Sequence, residues 1–399
     1  MKTANLLVLI PGRVLLMLQL CIAKAGRVYS LAEQRASKDV KTFRFLLGPD
    51  DIAGVLCNMQ AALGGNSATC NLGNNQFSQD CRYDFRVSSK HKSLLRLKRL
   101  IAGPWILGRL SAKVGVFVYV GRGGYFADIG FRQTEARFLA SVGVRLFQIV
   151  TGSDFRSPSL SKSLQSELGC FNFFEVLYKP LSSEEIQRVE KDSVKAAAVV
   201  TEFFDTVFDF PSDNSNWIDV ERRIPFIYAP DPKIQAPNWE KFDDKVMRVL
   251  HAPSRSEIKG TGIIRDAMRR IVQTGAPIEY IELENATHSQ VLAELSRAHV
   301  LVNELYGWSP GVLSCEGMQA GCAVVTRSNS ILEPFLPPGS EGAWVSAGPS
   351  QIEDALSSLL FDVVRIRNIA QSGHSWFWQN YNQEAIERVL KEEFDRGVR

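Results

Sequence analysis

Short β-branched runs alternate with helix-length stretches along most of this chain, and that alternation constrains the fold more than any single motif does. "FRFLLG" (43–48), "VGVFVYVG" (114–121) and "VRLFQIV" (144–150) are buried-strand patterns, and "IAGVLCNMQAALGG", after the turn "PDD", is a helix ending on a glycine pair. Strands separated by helices pair in parallel, which makes the class α/β. Two of these strands end in polar, glycine-containing loops, "GRGGYFAD" and "TGSDFRSP", and ligands collect at such strand C-termini. Gly121, Arg122, Gly152, Ser153, Asp154 and Arg156 are therefore candidate cleft residues. Lys195 to Val200 leads into "VVTEFFDTVFDFP", which reads as strand and loop.

The texture changes at "RRIPFIYAPDPKIQAPNWEKF", where prolines at 225, 230, 232 and 237 mark a linker. A second alternating unit follows: "KVMRVLHAP" (strand), "SRSEIKGTG" (loop), "IIRDAMRRIVQTG" (helix), "IEYIELEN" (strand), "HSQVLAELSRA" (helix) and "HVLVNEL" (strand). At 399 residues, 45% hydrophobic and 22% charged, the chain has length for two domains, and wholesale disorder is excluded. Seven scattered cysteines without a CxxC pair point to neither a disulfide framework nor a zinc site, and fit a reducing compartment.

The most informative stretch is "VLVNELYGWSPGVLSCEGMQAGCAVVTRS". Ser309 before Pro310 has the chemistry of an N-cap and first helical residue, so a helix is expected from there to Gly321. Gly311 in its first turn, with Val312 beside it, would let a phosphate reach free N–H groups at the positive end of the helix dipole. Glu316 lies in the second turn, before the strand "AVVT", and a carboxylate facing inward there must be hydrogen-bonded. Adjacent ribose hydroxyls are donors it could hold. An exposed Glu on an amphipathic helix is the plainer alternative. His251 and His288 have no partners at catalytic spacing and are expected to be packing or surface residues.

Charge is concentrated at two places, although the net charge is only +3. Residues 1–42 carry seven Lys/Arg against two Asp/Glu, and 86–113, "RVSSKHKSLLRLKRLIAGPWILGRLSAK", carries eight Lys/Arg and no acidic residue. Leu94, Leu97 and Ile101 lie there at helical spacing near Trp105, with Arg96, Lys98 and Arg99 interleaved. Such a segment suits an anionic membrane surface, or a solvated helix face. In the first 26 residues the apolar runs are broken at Pro11, Gly12 and Arg13, and Val14–Ala23 is too short to span a bilayer. An interfacial arm or an over-extended start is expected, with folding from about Thr42; the alternative is a signal peptide ending near Ala25.

"HAPSRSEIKGTGIIRDAM" followed by "HVLVNELYGWSPGVLSCEGMQAGCAVV" resembles the donor-binding half of family-four glycosyltransferases, the retaining group with the GT-B fold, and within them the bacterial polysaccharide enzymes. Gly307, Trp308, Gly311, Glu316, Met318, Gly321 and Val324 carry the likeness, with Lys259-Gly260-Thr261, "DIAG" (51–54) and "GSDFR" (152–156). It covers roughly residues 43–385 and is specific in the second half only. The resemblance implies that Lys259 and Arg255 grip a donor diphosphate, with Gly260 beside them, that Glu316 binds ribose, and that Ser309, Gly311 and Val312 pack on the phosphates. It also implies that Gly54 lets substrate approach the first helix. The sequence departs from the pattern in three ways. Trp308 stands where the motif's first Glu would touch the donor sugar, leaving Glu304 as a substitute only if the loop folds it back. Thr151 replaces a histidine of related chains, and the strand before "GRGG" also lacks one. Arg255 is one position off the expected spacing.

The expectation is a GT-B protein with an extension (1–42), a first domain (43–224), a linker (225–240), a nucleotide-sugar-binding domain (241–365) and a helical segment (366–399) crossing back. It implies a cytoplasmic, metal-independent, cofactor-free glycosyltransferase, peripheral at the inner membrane face through 86–113. Its partners are a nucleotide sugar and a glycan or lipid-linked acceptor, and no nucleic acid. Its catalytic residues are unassigned. The alternative is an inactive nucleotide-sugar-binding partner of the same fold. A nicotinamide-dependent dehydrogenase fits less well, because "GRGGYF" does not make G-x-G-x-x-G.

Overall fold

The computed structural model describes residues 12–37, 40–73, 81–126 and 132–396, so residues 1–11 of the expected extension, the end of the "GRGGYFAD" loop and residues 397–399 lie outside the described residues. Seven strands form the first sheet: β1 (Phe43–Pro49), β2 (Ser67–Asn71), β3 (Phe85–Arg86), β4 (Val114–Val120), β5 (Arg145–Ile149), β6 (Thr206–Asp209) and β7 (Arg223–Pro225). Their order is β3-β2-β1-β4-β5-β6-β7, and every pair is parallel. The second sheet holds β8 (Met247–His251), β9 (Ile278–Glu282), β10 (Val300–Val302), β11 (Ala323–Thr326) and β12 (Val345–Ser346) in the order β12-β11-β10-β8-β9, again all parallel.

Helices cover both sheets. In chain order they are α1 (Gly12–Ala36), α2 (Val55–Leu63), α3 (Lys92–Leu110), α4 (Gln133–Ser141), α5 (Pro158–Leu168) and α6 (Ser183–Phe203) in the first half. The second half has α7 (Ser256–Lys259), α8 (Thr261–Val272), α9 (His288–Arg297), α10 (Gly311–Gln319), α11 (Ile352–Leu359), α12 (Val363–Asn380) and α13 (Gln383–Asp395). Local chemistry starts several of them: Ser182 and Thr287 make capping boxes with Glu185 and Gln290, and Ser157 caps α5 with Pro158 behind it. The central strands are buried throughout because helices lie on both faces; Val116 to Val120 are at most 1% exposed.

Strand order reverses between β1 and β4 in the first sheet and between β8 and β10 in the second. A crevice opens at the C-terminal ends of strands on either side of such a switch point. The loops after β1 and β4 and those after β8 and β10 therefore define where a ligand can enter.

Four expectations are corrected. Residues 12–36 are a folded helix laid on α3, not an arm preceding the fold: Gln19, Ala23, Gly26 and Ser30 are buried, and Gln19 Nε2 donates to the Leu100 carbonyl at 3.3 Å. Val199 to Phe203, read as strand, end helix α6; the capping box and alanines of α6 outweigh a short β-branched pair. "SRSEIKGTG" is not all loop but holds the single turn α7, closed by Gly260 at φ 77°. The chain crosses back not at 366 but after Asn380: α12 packs on α10 and β11 of the second unit, while α13 packs on α2 of the first.

Candidate functional site

A cavity of about 310 Å3 lies where the switch-point loops of the two units meet. Ile52 and Ala53 come from the loop after β1, and Ala252, Pro253, Ser254 and Lys259 from the segment after β8. Val312, Leu313 and Glu316 come from α10, and His288 from the start of α9. Leu283, Asn285, Ala286 and Val291 complete a largely apolar wall.

Helix α10 presents its first turn to this cavity, but not as the sequence suggested. Ser309 makes no cap; Pro310 occupies that position, and Gly311 at φ 75° takes the left-handed turn that starts the helix. A positive φ breaks the regular turn in which Ser309 would have reached the N–H groups. The loop is pinned instead by Asn303, whose Nδ2 donates to the Pro310 carbonyl at 3.2 Å and to Ser314 Oγ at 2.8 Å. No side chain caps the helix, so the first N–H groups, including those of the cavity-lining Val312 and Leu313, keep their positive potential for a ligand.

Lys259 reaches the same helix end. Its Nζ donates to Glu304 Oε2 at 2.6 Å, and both side chains are largely shielded, at 18% and 10% exposure. The loop after β10 does fold Glu304 back: a side chain at Gly307 would meet the Glu304 carboxyl at 3.0 Å, and one at Gly311 would lie 3.8 Å from Glu304 Oε2. A carboxylate thus stands beside Lys259 and the first turn of α10. Trp308, at the motif position, is 2% exposed and packed inside, its indole N–H without a hydrogen-bond partner and its carbonyl held by Ser328 Oγ at 2.9 Å. It does not line the cavity, and neither does Arg255, which is exposed at the start of α7. An extended backbone at Arg255 directs the cavity edge through Ser254 instead. Gly260 is a structural turn whose missing side chain makes room for Leu305.

Glu316 is buried and faces the cavity, and its partner is one the sequence hid. His288 Nε2 lies 2.9 Å from Glu316 Oε1 and 3.7 Å from Asp231 Oδ2. His288 is therefore not an idle surface residue. Its hydrogen bond to Glu316 raises its pKa above the ordinary value. Burial raises that of Glu316, against the opposing pull of His288. Asp231, from the Pro-rich linker, is 2% exposed; its backbone N–H donates to Gln319 Oε1 at 3.0 Å, which ties the linker to α10. Asp231, His288 and Glu316 each bring one donor atom to within 4.8 Å of the others, a set with the chemistry to hold a divalent cation. His251, by contrast, is a packing residue, fully buried between the Val302 carbonyl at 2.8 Å and Thr261 Oγ1 at 2.9 Å.

The first unit faces these groups with its own strand ends. Gly54 at φ 75° opens α2 with nothing within 4 Å of where a side chain would begin, and it lines a second cavity of about 370 Å3 that shares His288 with the first and also has Asp231 in its wall. Cys57 and Cys81 line it too, with Asp51 close by, a thiol–carboxylate cluster that the sequence spacing did not reveal. Asp51 is committed to the fold, accepting from Leu56 N at 3.1 Å and from Tyr83 Oη at 2.6 Å. Gly121, at φ 74°, lies against Ile52, Thr151 and Asp154, so the loops after β1, β4 and β5 pack together. Arg122 donates to the Asp192 carbonyl at 3.5 Å. Asp154 is held by Thr151 N at 2.7 Å and Thr151 Oγ1 at 2.9 Å, and burial pushes its carboxyl up to about 6. Thr151 thus does loop-closing work. Gly152 is exposed at φ 53°, and Ser153 Oγ accepts from Arg156 Nη1 at 2.8 Å. Arg156 is buried against Asp213, 3.4 Å away, and stacks on Phe173, 4.1 Å from the ring centre. None of Gly121, Arg122, Gly152, Ser153, Asp154 or Arg156 lines either cavity.

No protein-family model matches the chain, and no curated protein matches it in sequence. Solved structures do match in fold. A sucrose-phosphate synthase from Thermosynechococcus elongatus superposes with a TM-score of 0.57 at 13% identity, over 89% of this chain and 99% of that one. HepE from Anabaena, in complex with UDP and glucose, gives 0.54 at 11% identity over 88% and 99%. MnaA from S. aureus, in a co-structure with UDP, gives 0.53 at 12% identity over 88% and 96%. The architecture is therefore GT-B: two Rossmann-like domains facing across a cleft.

Proposed function

We propose that this protein is a glycosyltransferase that moves a sugar from a nucleoside-diphosphate donor to an acceptor hydroxyl, with retention of configuration. The observation that carries this reading is the convergence, in one cleft cavity, of the uncapped α10 N-terminus, Lys259 and the buried carboxylate of Glu316. Helix N–H groups and Lys259 suit a diphosphate, and Glu316 suits a ribose diol. HepE and MnaA, of the same fold, hold UDP in their structures, which makes UDP the first nucleotide to test.

Leaving-group stabilisation would be the chain's main contribution. As the sugar–phosphate bond breaks, negative charge builds on the diphosphate, and fixed N–H groups with Lys259 are aimed at where it develops. Glu304, locked to Lys259, would be near enough to the donor to favour an oxocarbenium-like sugar as it becomes positive. The acceptor would enter over the first-unit loops at Ile52–Gly54 and be positioned rather than activated covalently. No side chain is assigned as base. Metal-independent transfer, a glycan or lipid-linked acceptor, a role in polysaccharide biosynthesis and a cytoplasmic setting, where nucleotide sugars are found, belong to the same proposal.

The test is calorimetric titration with UDP and with uridine. Glu316→Ala removes charge-assisted hydrogen bonds of about 1.5–3 kcal/mol each and should weaken both ligands at least about tenfold. Lys259→Ala should weaken the diphosphate alone. Equal binding by Glu316→Ala and parent would remove the ribose assignment. Transfer measured with a nucleotide-sugar panel separates an enzyme from a binding-only partner, proton NMR of the anomeric product reads the stereochemistry, and chelator treatment should leave the rate unchanged.

A further inference from the structure

Helix α1 wears its apolar residues on the wrong side for a protein in water. Its buried residues are small or polar, Gln19, Ala23, Gly26 and Ser30, with Leu16 and Leu20 partly buried beside them, whereas Val14, Met17, Leu18 and Val28 point outward at 45–68% exposure. A surface helix of a soluble protein buries its large apolar stripe and shows the polar one. The inversion is enforced by close packing. A side chain on Gly26 would meet the Trp105 carbonyl at 2.8 Å, and one on Gly108 would run into the backbone of Ala23, so α1 and α3 approach backbone to backbone.

The two helices run side by side in the same direction. Gln19 bonds to Leu100, Arg27 to Ser111, and Gln34 to the Ala112 carbonyl at 2.9 Å, so the N-terminal halves of both helices lie at one end. There α3 adds its own exposed stripe, Leu94, Leu97 and Ile101, to Val14, Met17 and Leu18. On the two helices charge at this end has one sign, although Arg99 is paired with Asp50 at 3.5 Å. Arg13, Lys92, Arg96 and Lys98 flank the apolar residues, α3 contains no acidic residue, and the single acidic residue of α1, Glu33, is at the far end, neutralised by Arg109 at 3.0 Å and Lys113 at 2.7 Å. The sequence before α1, "MKTANLLVLIP", has a similar composition, with Lys2, five consecutive apolar residues and no acid.

We infer that the α1–α3 pair is a docking surface for an anionic lipid bilayer, with both helices lying in the headgroup region and their outward apolar residues entering the acyl boundary. An apolar stripe rimmed by cations matches an anionic interface in both chemistry and charge. Although α1 is long and apolar enough to cross a membrane, its inner face is held along α3 from Gln19 to Gln34, which keeps it in the plane. Docking is independent of donor chemistry, and it would place the first unit, on whose side an acceptor enters, against the lipid.

The experiment is flotation of the full-length protein with vesicles of phosphatidylcholine containing about 30% phosphatidylglycerol, at about 0.15 M salt, next to vesicles of phosphatidylcholine alone. Parent protein should float with the anionic vesicles and be released by carbonate at high pH. Met17→Glu/Leu97→Glu and Arg96→Glu/Lys98→Glu should each lower bound protein at least about tenfold, with thermal unfolding and UDP titration as in the parent. Because all four residues are exposed, the variants fold and the comparison is direct. Unchanged flotation of both variants overturns the inference. So does resistance to carbonate, which would mean that α1 spans, or a dimer dissolved by Met17→Glu/Leu97→Glu without any vesicle binding, which would mean that a second copy covers this face. UDP binding is read separately, so a failed docking test leaves the glycosyltransferase proposal standing.

Discussion

At the scale of single residues, the site is a set of charges that hold one another in place until a ligand replaces a partner. Lys259 is neutralised by Glu304 at 2.6 Å. A diphosphate bound as proposed would share Lys259 with that carboxylate, and two anions around one ammonium repel. Glu304→Gln should therefore tighten UDP by about two- to fivefold, a gain below 1 kcal/mol, while lowering sugar transfer. Titration and a transfer assay on one variant would show the two effects moving in opposite directions; a loss of UDP affinity would mean that Glu304 positions Lys259 more than it competes for it. His288 gives a pH signature. Its pKa is raised by Glu316, with Asp231 acting in the same direction and Lys233 against. A raised histidine stabilises the fold fully below the unfolded value of about 6.5, and the contribution disappears as pH climbs through the folded pKa. His288→Asn should thus lower Tm most below about pH 6.5, and the gap from the parent should narrow as pH rises beyond it. A constant gap across that range would show that His288 is uncharged in the fold.

These pairs were unreadable in the sequence for a simple reason. Glu316 could be singled out because a carboxylate among apolar residues in a short helix is costly unless bonded. Its partner lies 28 residues away on another helix, and Asp231 in the linker. Only the fold brings α9 and the linker to one spot.

At the scale of elements, strand and helix alternation was legible wherever β-branched runs were bounded by glycine or proline, and β1, β4, β5 and β8 to β11 stand where those runs are. Helix α1 was not legible because Pro11, Gly12 and Arg13 interrupt its start and its inward face is polar. The helix that matters most was legible as an element but not at its first turn. Gly311 sits at φ 75°, a conformation that costs an L-residue about 1–2 kcal/mol. Space is not the obstacle, since the nearest atoms to an added side chain are Asn303 Nδ2 at 3.6 Å and Glu304 Oε2 at 3.8 Å. Gly311→Ala should therefore destabilise the protein by about 1 kcal/mol and weaken UDP more than uridine, because the added methyl would stand where the diphosphate is proposed to bind. Denaturant unfolding with the two titrations checks this. Equal losses for both ligands would move the diphosphate away from Gly311.

At the scale of the molecule, the two units are joined twice: by the linker, and by the return of the chain through α12 and α13. An aromatic cluster binds the two crossings together. Tyr228 of the linker meets Tyr381 at 5.2 Å between ring centres, and Trp376 meets Tyr381 at 5.4 Å and Trp344 at 5.0 Å. Beyond it, α13 completes the first unit. Ile386 and Leu390 are at most 1% exposed, Phe394 meets Phe45 edge-on at 5.6 Å, and Glu393, 2% exposed, bonds to Thr206 Oγ1 at 3.1 Å and pairs with Arg222 at 3.0 Å. Arg145 Nη1 donates to the Glu393 and Phe394 carbonyls at 2.8 Å each. Each fully buried aliphatic side chain contributes about 1.5–3 kcal/mol, against a domain stability of about 5–15 kcal/mol. The first unit should therefore depend on the last helix of the chain although its own last strand ends at Pro225. A chain stopped after Asn382 should unfold in two calorimetric steps, the first unit melting early while the second, with its sheet and α12 intact, melts near the parent temperature and is still raised by UDP. The milder Leu390→Ala should cost about 2–5 kcal/mol and shift the same early step. A truncated chain that melts in one transition at the parent temperature would show that α13 only covers the first unit and does not hold it.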